Sequence, residues 1–275
     1  MRKILASLLL ALMLAGLDLS AARVDLLTSL ISYWALDEAS GQRNDAHAGN
    51  NLTDNNTVAS AAGKISNAGD FELSVGVESL SRSDNADLST GDIDFSLSVW
   101  VNAESFDGAN PHLIAKINDD ASVLEYQLFY HNATTRYRWI VFGAGPVAVG
   151  DVSANNFGAP GTGTWHHVVA WHDAANNLVG ISVNDGTADT AATTGAPADT
   201  SANFTLGMIS PGFGASGQWD GLIDEVGFWK KVLTSQERTD LYNSGNGLAY
   251  PLSAGSTTAA PALINSPIRC CVRGR

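Results

Sequence analysis

Acidic side chains are the first residues in this sequence that could do chemistry, because glycoside hydrolases cleave a sugar bond between two carboxylates. Asp37 and Glu38 are adjacent in the sequence, and so are Asp224 and Glu225. Neighbouring side chains on an extended chain point to opposite faces, so neither pair can flank one bond. The sequence also lacks a Gly-x-Ser-x-Gly elbow, a His-Glu-x-x-His motif and a glycine-rich phosphate loop. We therefore expect a protein that is not an enzyme.

Three histidines, His166, His167 and His172, could suggest a metal site. The stretch 165–172 predicts a strand, which puts His167 with Trp165 on the core face and the other two on the opposite face. At about 3.3 Å per residue, His166 and His172 stand roughly 20 Å apart. They cannot bind one metal ion, so we interpret all three as structural.

Trp100 is a candidate for ligand contact. In the stretch 95–102 every second residue is apolar, so a strand here turns Phe95, Leu97, Val99 and Val101 towards the core. Trp100 then lies on the opposite face, with the polar residues Ser96, Ser98 and Asn102. An indole on that face either stacks on a sugar ring or packs beneath a long loop, as buried tryptophans do.

Neighbouring predicted strands carry further candidates whose facing the sequence does not determine. They combine aromatic rings with guanidinium groups, the two kinds of side chain that suit a polar ligand. These residues are Tyr126, Tyr130, Arg136 and Arg138.

Composition narrows the class of partner. With 275 residues the chain has room for one large β-sandwich and no second full domain. Its formal net charge of -13 disfavours binding to nucleic acid and to anionic membranes, because like charges repel. Acidic loops are instead suited to binding divalent cations. The two cysteines, Cys270 and Cys271, are adjacent near the C-terminus, so no disulfide can staple the domain.

Both ends of the sequence differ from its middle. Basic Arg2 and Lys3 precede an apolar run over 4–17 and small residues up to Ala22, which predicts a signal peptide over 1–22. The alternative is an uncleaved anchor, but the run is shorter than the roughly 20 residues of a spanning helix. Residues 253–275 predict a disordered tail. We expect one domain over 23–252, secreted or at a cell surface, with a virion surface as a further possibility.

Short apolar runs separated by Gly, Asn, Asp, Ser and Thr predict many strands and turns. Besides the two strands above, we predict strands over 31–36, 113–117, 125–130, 137–142, 178–183, 204–208 and 221–229, and a polar loop over 187–201. Residues 183–186 predict a tight hairpin turn. One short helix is predicted over 235–244, with Thr234 as N-cap, Glu237 completing a capping box and Gly245 ending it.

Three segments in order resemble the laminin-G-like, concanavalin A-like lectin/glucanase family. They are ISYWALDEASG at 31–41 with DAHAGNNLT at 45–53, then FSLSVWV at 95–101 with TWHHVV at 164–169, and finally WDGLIDEVGFW at 219–229 with LTSQE at 233–237 and LYNSG at 241–245. The resemblance covers about residues 26–250. It implies an all-β fold, a two-sheet antiparallel jelly-roll sandwich whose first and last strands are neighbours.

The resemblance also implies a structural calcium ion, which needs six to eight oxygen ligands. The 45–51 loop supplies such oxygens, and paired terminal strands would bring Asp224 towards it. We therefore predict Asp45, Asn50 and Asp224 as ligands. The alternative is that Asp45 and Asn50 bond their own backbone in a turn while Asp224 is a hydrogen-bonded polar group.

For function, the resemblance favours a non-catalytic binding or adhesion module whose partner is a glycan or cell-surface polysaccharide. The alternative is a structural or virion-surface module that binds a protein. A glycoside hydrolase or polysaccharide lyase of the same fold is disfavoured, because the Glu-x-Asp-x-x-Glu strand motif of the retaining hydrolases is missing. A glycan site would show an exposed aromatic ring beside Asn or Asp, and a protein site a larger apolar patch.

Overall fold

A computed structural model describes residues 26–73, 77–118, 122–210 and 217–252 of the chain. The signal peptide and the tail predicted from the sequence lie outside these residues. Within them the chain forms β1 to β15, which are Leu30–Trp34, Thr53–Asn55, Ala59–Ala62, Asn67–Phe71, Ser79–Arg82, Phe95–Ala103, His112–Ile117, Leu124–His131, Arg136–Phe142, Ala148–Ser153, Trp165–Asp173, Leu178–Val183, Asp189–Ala192, Phe204–Leu206 and Gly221–Trp229. Helix α1, Ser235–Tyr242, follows, and a short 3-10 turn, Asn243–Gly245, ends it.

The described strands form two antiparallel sheets packed face to face. The first has the order β13-β12-β11-β6-β15-β4-β3, with β1 also paired to β15. The second has the order β10-β9-β8-β7-β14-β5-β2. This is the predicted jelly-roll sandwich, and the pairing of β1 with β15 confirms that the first and last strands are neighbours.

The core lies between the sheets and follows the alternation of the sequence. On β6, Phe95, Leu97, Val99 and Val101 all lie in the main hydrophobic cluster, as predicted. Aromatic rings from both sheets fill the remaining space, and a buried side chain of this kind contributes about 1.5–3 kcal/mol. They include Trp34, Tyr126, Tyr137, Trp139 and Trp219.

A second hydrophobic cluster covers the outer face of the first sheet. Val169 and Trp171 of β11 pack there with Trp229 and with Leu241 of α1. His167 belongs to this outer face and is buried under α1, where its ring stacks on Trp100. The predicted facing of His167 is therefore wrong: the alternation holds, but the outer side of the strand is apolar too because a helix covers it.

Helix α1 begins at the predicted capping box. The Thr234 hydroxyl accepts a hydrogen bond from the Glu237 backbone N–H, and the Glu237 carboxylate accepts one from the Thr234 N–H. The predicted C-terminal stop differs slightly, because Asn243 already takes the left-handed conformation, with φ 49°. Asn tolerates that conformation better than most residues, so the helix ends before Gly245.

The edge strands β10 and β13 meet along one side of the sandwich, and we call this contact the seam. The Thr194 N–H, just after β13, donates to the Val149 carbonyl of β10 at 2.7 Å. Strand β13 lies in a segment for which the sequence predicts a loop, since its residues are small and polar. The predicted turn before it is confirmed, because Asn184 and Asp185 both have positive φ.

The part of the chain that the structure describes contains no helix with the length and apolar character required to cross a bilayer.

Candidate functional site

A groove of about 410 Å³ runs along the seam, between β9 and β10 of one sheet and β13 of the other. Its walls combine charged, amide and hydroxyl side chains with two small apolar ones. The lining residues are Thr134, Arg138, Asp151, Val152, Ser153, Asn155, Asp189, Thr190 and Ala191. We call this the Arg138 groove.

Arg138 and Asp151 form a two-point ion pair in the wall of this groove. The Arg138 Nε donates to Asp151 Oδ1 at 2.7 Å, and Nη2 donates to Oδ2. The hydrogen bond that Arg138 donates to Asp151 raises the pKa of the Arg138 guanidinium, which therefore stays charged. Both side chains remain open to solvent, at 26 % and 39 % exposure. The pair holds the guanidinium as a rigid planar donor that a ligand can reach.

A second hollow of about 310 Å³ lies beside the end of the seam, between the loop after β10 and the turn that joins β12 to β13. It is lined by Asn156, Phe157, Val183, Asn184, Gly186 and Thr187. The Phe157 ring is partly exposed and meets His166 edge-on, with ring centroids 5.2 Å apart. We call this the Phe157 hollow.

The structure resolves the facing of the aromatic candidates that the sequence left open. Tyr126 and Tyr130 point between the sheets and are buried. The Tyr126 hydroxyl donates to the Leu88 carbonyl, and Tyr130 stacks on Phe106 at 4.0 Å. Neither ring can contact a ligand at the surface, because β8 turns Tyr126, Leu128 and Tyr130 inward to the main core.

The two arginine candidates have different roles. Arg136 donates from Nη1 to the carbonyls of Thr134 and Thr135, so it braces the turn between β8 and β9. Arg138, two residues further along β9, lines the groove.

Trp100 is buried beneath a covering element, as in the second of its two predicted arrangements, but that element is helix α1 and not a long loop. Its indole is buried, stacked between strand β11 and helix α1 on His167 and Tyr242. The Lys64 ammonium lies 4.6 Å from the centre of the ring. In this fold a sugar cannot stack on Trp100.

The Asp45 carboxylate is surrounded by backbone donors. Its Oδ1 accepts hydrogen bonds from the N–H groups of Tyr33, His47 and Ala48, and Oδ2 accepts one from Asn50. A calcium ligand must turn its oxygen atoms towards the ion. Because backbone N–H groups already donate to both Asp45 oxygens, the geometry fits the alternative in which Asp45 stabilises a turn, and it does not fit a calcium ligand.

The other two predicted calcium ligands are also engaged elsewhere. The Asn50 amide donates to Ser32 Oγ, and its Oδ1 accepts from Asn85. Asp224 Oδ2 accepts the Ile65 N–H at 3.0 Å, in a different loop from the one around Asp45. Asp45 and Asn50 are thus brought together, but as parts of a hydrogen-bonded loop, and Asp224 holds a separate segment.

One group of three carboxylates in the described residues is close enough to share a cation. It consists of Asp70, Glu72 and Glu104, whose oxygens lie within 4.8 Å of one another. Burial first, and then the neighbouring negative charges, raise the pKa of Asp70 and of Glu104. Acidic groups at this spacing also occur without an ion, so the group alone assigns no site.

Glu225 and Asp224 form a buried acidic pair at an irregularity in β15. Glu225 has a φ of 49°, and the pairing with β6 shifts between Asp224 and Gly227. Burial is the main cause that raises the pKa of Glu225 to about 8 and that of Asp224 to about 7. The Tyr33 hydroxyl lies against Glu225 Oε2 and 3.1 Å from the Leu248 carbonyl. When Glu225 is protonated, the Tyr33 hydroxyl donates its single proton to the Leu248 carbonyl.

The three histidines are structural, as predicted from their spacing. His166 Nδ1 contacts the Tyr137 hydroxyl at 3.2 Å, and His172 Nδ1 contacts the Ile93 carbonyl at 2.8 Å. His167 Nε2 contacts Ser98 Oγ at 2.8 Å, and burial lowers its pKa to about 3.

Two antiparallel sheets in this order, with a short helix over the outer face, define a jelly-roll sandwich of the lectin type. The chain belongs to the concanavalin A-like lectin/glucanases superfamily, because the laminin-G model described by that name matches residues 76–237. No curated protein sequence matches the chain.

Solved structures with the same fold come from binding domains and from an enzyme. Domain 4 of AbnA, a GH43 extracellular arabinanase from Geobacillus stearothermophilus solved with arabinotriose, aligns with a TM-score of 0.57 and 19% identity, over 77% of this chain and 97% of that one. The binding domain of Paraclostridial Mosquitocidal Protein 1 aligns with a TM-score of 0.62 and 12% identity, over 80% and 53%. Trypanosoma rangeli sialidase aligns with a TM-score of 0.54 and 14% identity, over 80% and 34%.

The chain therefore spans about half of the mosquitocidal binding domain and a third of the sialidase. At these identities the likeness shows the fold, which is shared by binding modules and by glycoside hydrolases.

Proposed function

We propose that this protein is a non-catalytic carbohydrate-binding module of the cell exterior and that its ligand occupies the Arg138 groove. The observation that carries the proposal is the ion pair of Arg138 and Asp151, which presents fixed donors and acceptors in an open groove. Sugar hydroxyls both donate and accept hydrogen bonds, so they match a wall in which a guanidinium, carboxylates and hydroxyls alternate.

The related structures support this choice by analogy. The arabinanase domain was solved with arabinotriose, and the mosquitocidal structure is itself a binding domain. The acidic pair Asp224 and Glu225 has the raised pKa values of catalytic carboxyls, yet both side chains are buried where no polysaccharide can reach. These features favour binding over hydrolysis.

A protein partner is the second candidate, and the surface gives it less support. A protein interface is expected to present a contiguous apolar patch. Among the described residues, the large apolar side chains with more than a third of their surface exposed come from three separate segments. They are Leu27, Ile93 and Val147.

Titration calorimetry with neutral plant oligosaccharides, arabinotriose among them, tests the proposal. We expect Arg138→Ala to weaken binding at least tenfold. The matched control is Arg82→Ala, which removes the same charge from β5, a strand of the same sheet that contributes no residue to the groove, and should bind like the parent. Equal losses in both variants, or none in either, would refute the Arg138 groove. Release of reducing ends during a long incubation would refute the non-catalytic assignment.

A further inference from the structure

We infer that the ligand is an uncharged oligosaccharide that extends along the seam, from the Arg138 groove into the Phe157 hollow. This inference rests on the proposed carbohydrate-binding function. It adds the length of the ligand and the charge class that the site accepts.

The groove and the hollow adjoin, because consecutive residues line them. Asn155 lines the Arg138 groove, and Asn156 lines the Phe157 hollow. The Asn156 N–H donates to Asp189 Oδ2 at 2.9 Å, and Asp189 also lines the Arg138 groove. Consecutive Cα atoms are about 3.8 Å apart, which is less than the length of one sugar ring. The two depressions are therefore close enough for one linear chain of sugars to reach both.

The Phe157 hollow provides the contacts that a further sugar ring requires. Phe157 offers a partly exposed aromatic surface, and its packing against His166 at one edge and against the core fixes its position. Beside it, the Asn184 side chain is fixed because its amide oxygen Oδ1 accepts the backbone N–H of His167 at 2.8 Å. An aromatic surface next to oriented amide and hydroxyl groups can bind the apolar C–H and the polar O–H sides of a sugar together.

The charges of the two depressions favour an uncharged ligand. Arg138 is the one cationic side chain among the lining residues, and Asp151 already pairs with it. Asp189 adds a second negative charge to the groove, and none of the residues that line the hollow is charged. The whole chain carries a net charge of -13. A uronate or sialate would meet repulsion that no free cation in these walls offsets.

Calorimetric titration with neutral arabino-, xylo- and cello-oligosaccharides, from disaccharide to hexasaccharide, tests the extent of the site. In a series that binds, we expect the affinity to rise about tenfold, or roughly 1.4 kcal/mol, once the chain is long enough to reach Phe157. Phe157→Ala should abolish this gain with length, whereas Arg138→Ala should weaken binding at every length. Ile93→Ala, an exposed apolar position outside both depressions, is the control. Should Phe157→Ala fail to fold, Phe157→Leu keeps the bulk without the flat ring.

Oligogalacturonates of the same lengths and sialyllactose test the charge class, and we expect them to bind at least tenfold more weakly. Several outcomes separate the two proposals. If short sugars bind through Arg138 and the affinity does not rise with chain length, the proposed extension of the site into the Phe157 hollow is overturned. The proposed carbohydrate-binding function would still stand. Charged sugars that bind as tightly as neutral ones would overturn the charge class. An absence of binding by every sugar would overturn both.

Discussion

The indole of Trp100 lies almost parallel to the phenol ring of Tyr242, with centroids 5.7 Å apart and planes inclined by 11°. Trp100 is on the central strand β6 and Tyr242 is the last residue of α1, so the contact attaches the helix to the first sheet. This makes Trp100 a structural residue on the outer face of the sandwich.

Trp100→Ala should therefore destabilise the domain by about 3–5 kcal/mol, the usual cost of removing a buried tryptophan. Urea denaturation measures this free energy of unfolding. Trp165→Ala is the comparison, since Trp165 is partly exposed at the start of β11 and should cost less. A Trp100→Ala variant that keeps its stability but loses sugar binding would contradict the structural role.

Asp45→Ala should cost about 3 kcal/mol, because it leaves backbone N–H groups without their acceptor, including the buried hydrogen bonds from Tyr33 and Asn50. Asp45→Asn, which keeps an acceptor oxygen at nearly the same position, should cost less. We expect the thermal midpoint of residues 23–252 to be the same in millimolar calcium and in EDTA. A midpoint that rises with calcium, and no longer does so in Asp45→Ala or Asp224→Ala, would restore the predicted calcium site.

Glu225 should make the domain less stable as the pH rises. Its pKa is about 8 in the fold and near the ordinary 4.5 after unfolding. Between these values the folded state retains a proton that the unfolded state has released, so stability is fully present below about pH 4.5 and is lost as the pH passes 8.

Glu225→Gln should remove much of this loss of stability, on the order of 3 kcal/mol. Asp224 remains in the variant and still causes a smaller fall in stability as the pH rises. Denaturation of the parent and the variant at about pH 5 and about pH 8 gives the comparison. Parallel pH profiles for the two proteins would show that Glu225 does not hold its proton in the fold.

Thr234→Ala should destabilise the domain by about 1 kcal/mol through loss of the capping box at α1. Thr234→Ser, which retains the hydroxyl, should lower the free energy of unfolding by only a few tenths of a kcal/mol, as measured by urea denaturation. A cost for Thr234→Ala as large as that for Trp100→Ala would mean that the cap, rather than the ring stack, attaches the helix.

The strands that the sequence predicts correctly include those in which side chains alternate between two faces, such as β6 and β11. Strands β2, β3, β4, β5, β10 and β13 were missed because most of their residues are small or polar. They are extended because a neighbouring strand offers hydrogen bonds, and this tertiary effect leaves no periodic pattern in the chain.

The site was only partly predictable for the same reason. Arg138 was recognised as a candidate by its side chain alone, while Asp151, Phe157 and Asp189 were missed. The run Asn155-Asn156-Phe157 was a usable signal, since it sets an aromatic ring beside two amides. Its partner Asp189 comes from the other sheet, and only the meeting of β10 with β13 brings them together.

The pairing of β1 with β15 also determines how the domain would respond to mechanical force. Leu30, where β1 begins, lies opposite Trp229, where β15 ends, and the flanking Leu26 and Leu252 pack in one cluster. A pull on the two flanks would therefore open this antiparallel ladder from one end, one hydrogen bond at a time. A load applied there would unzip the terminal strands, whereas shearing would require breaking all of their bonds together.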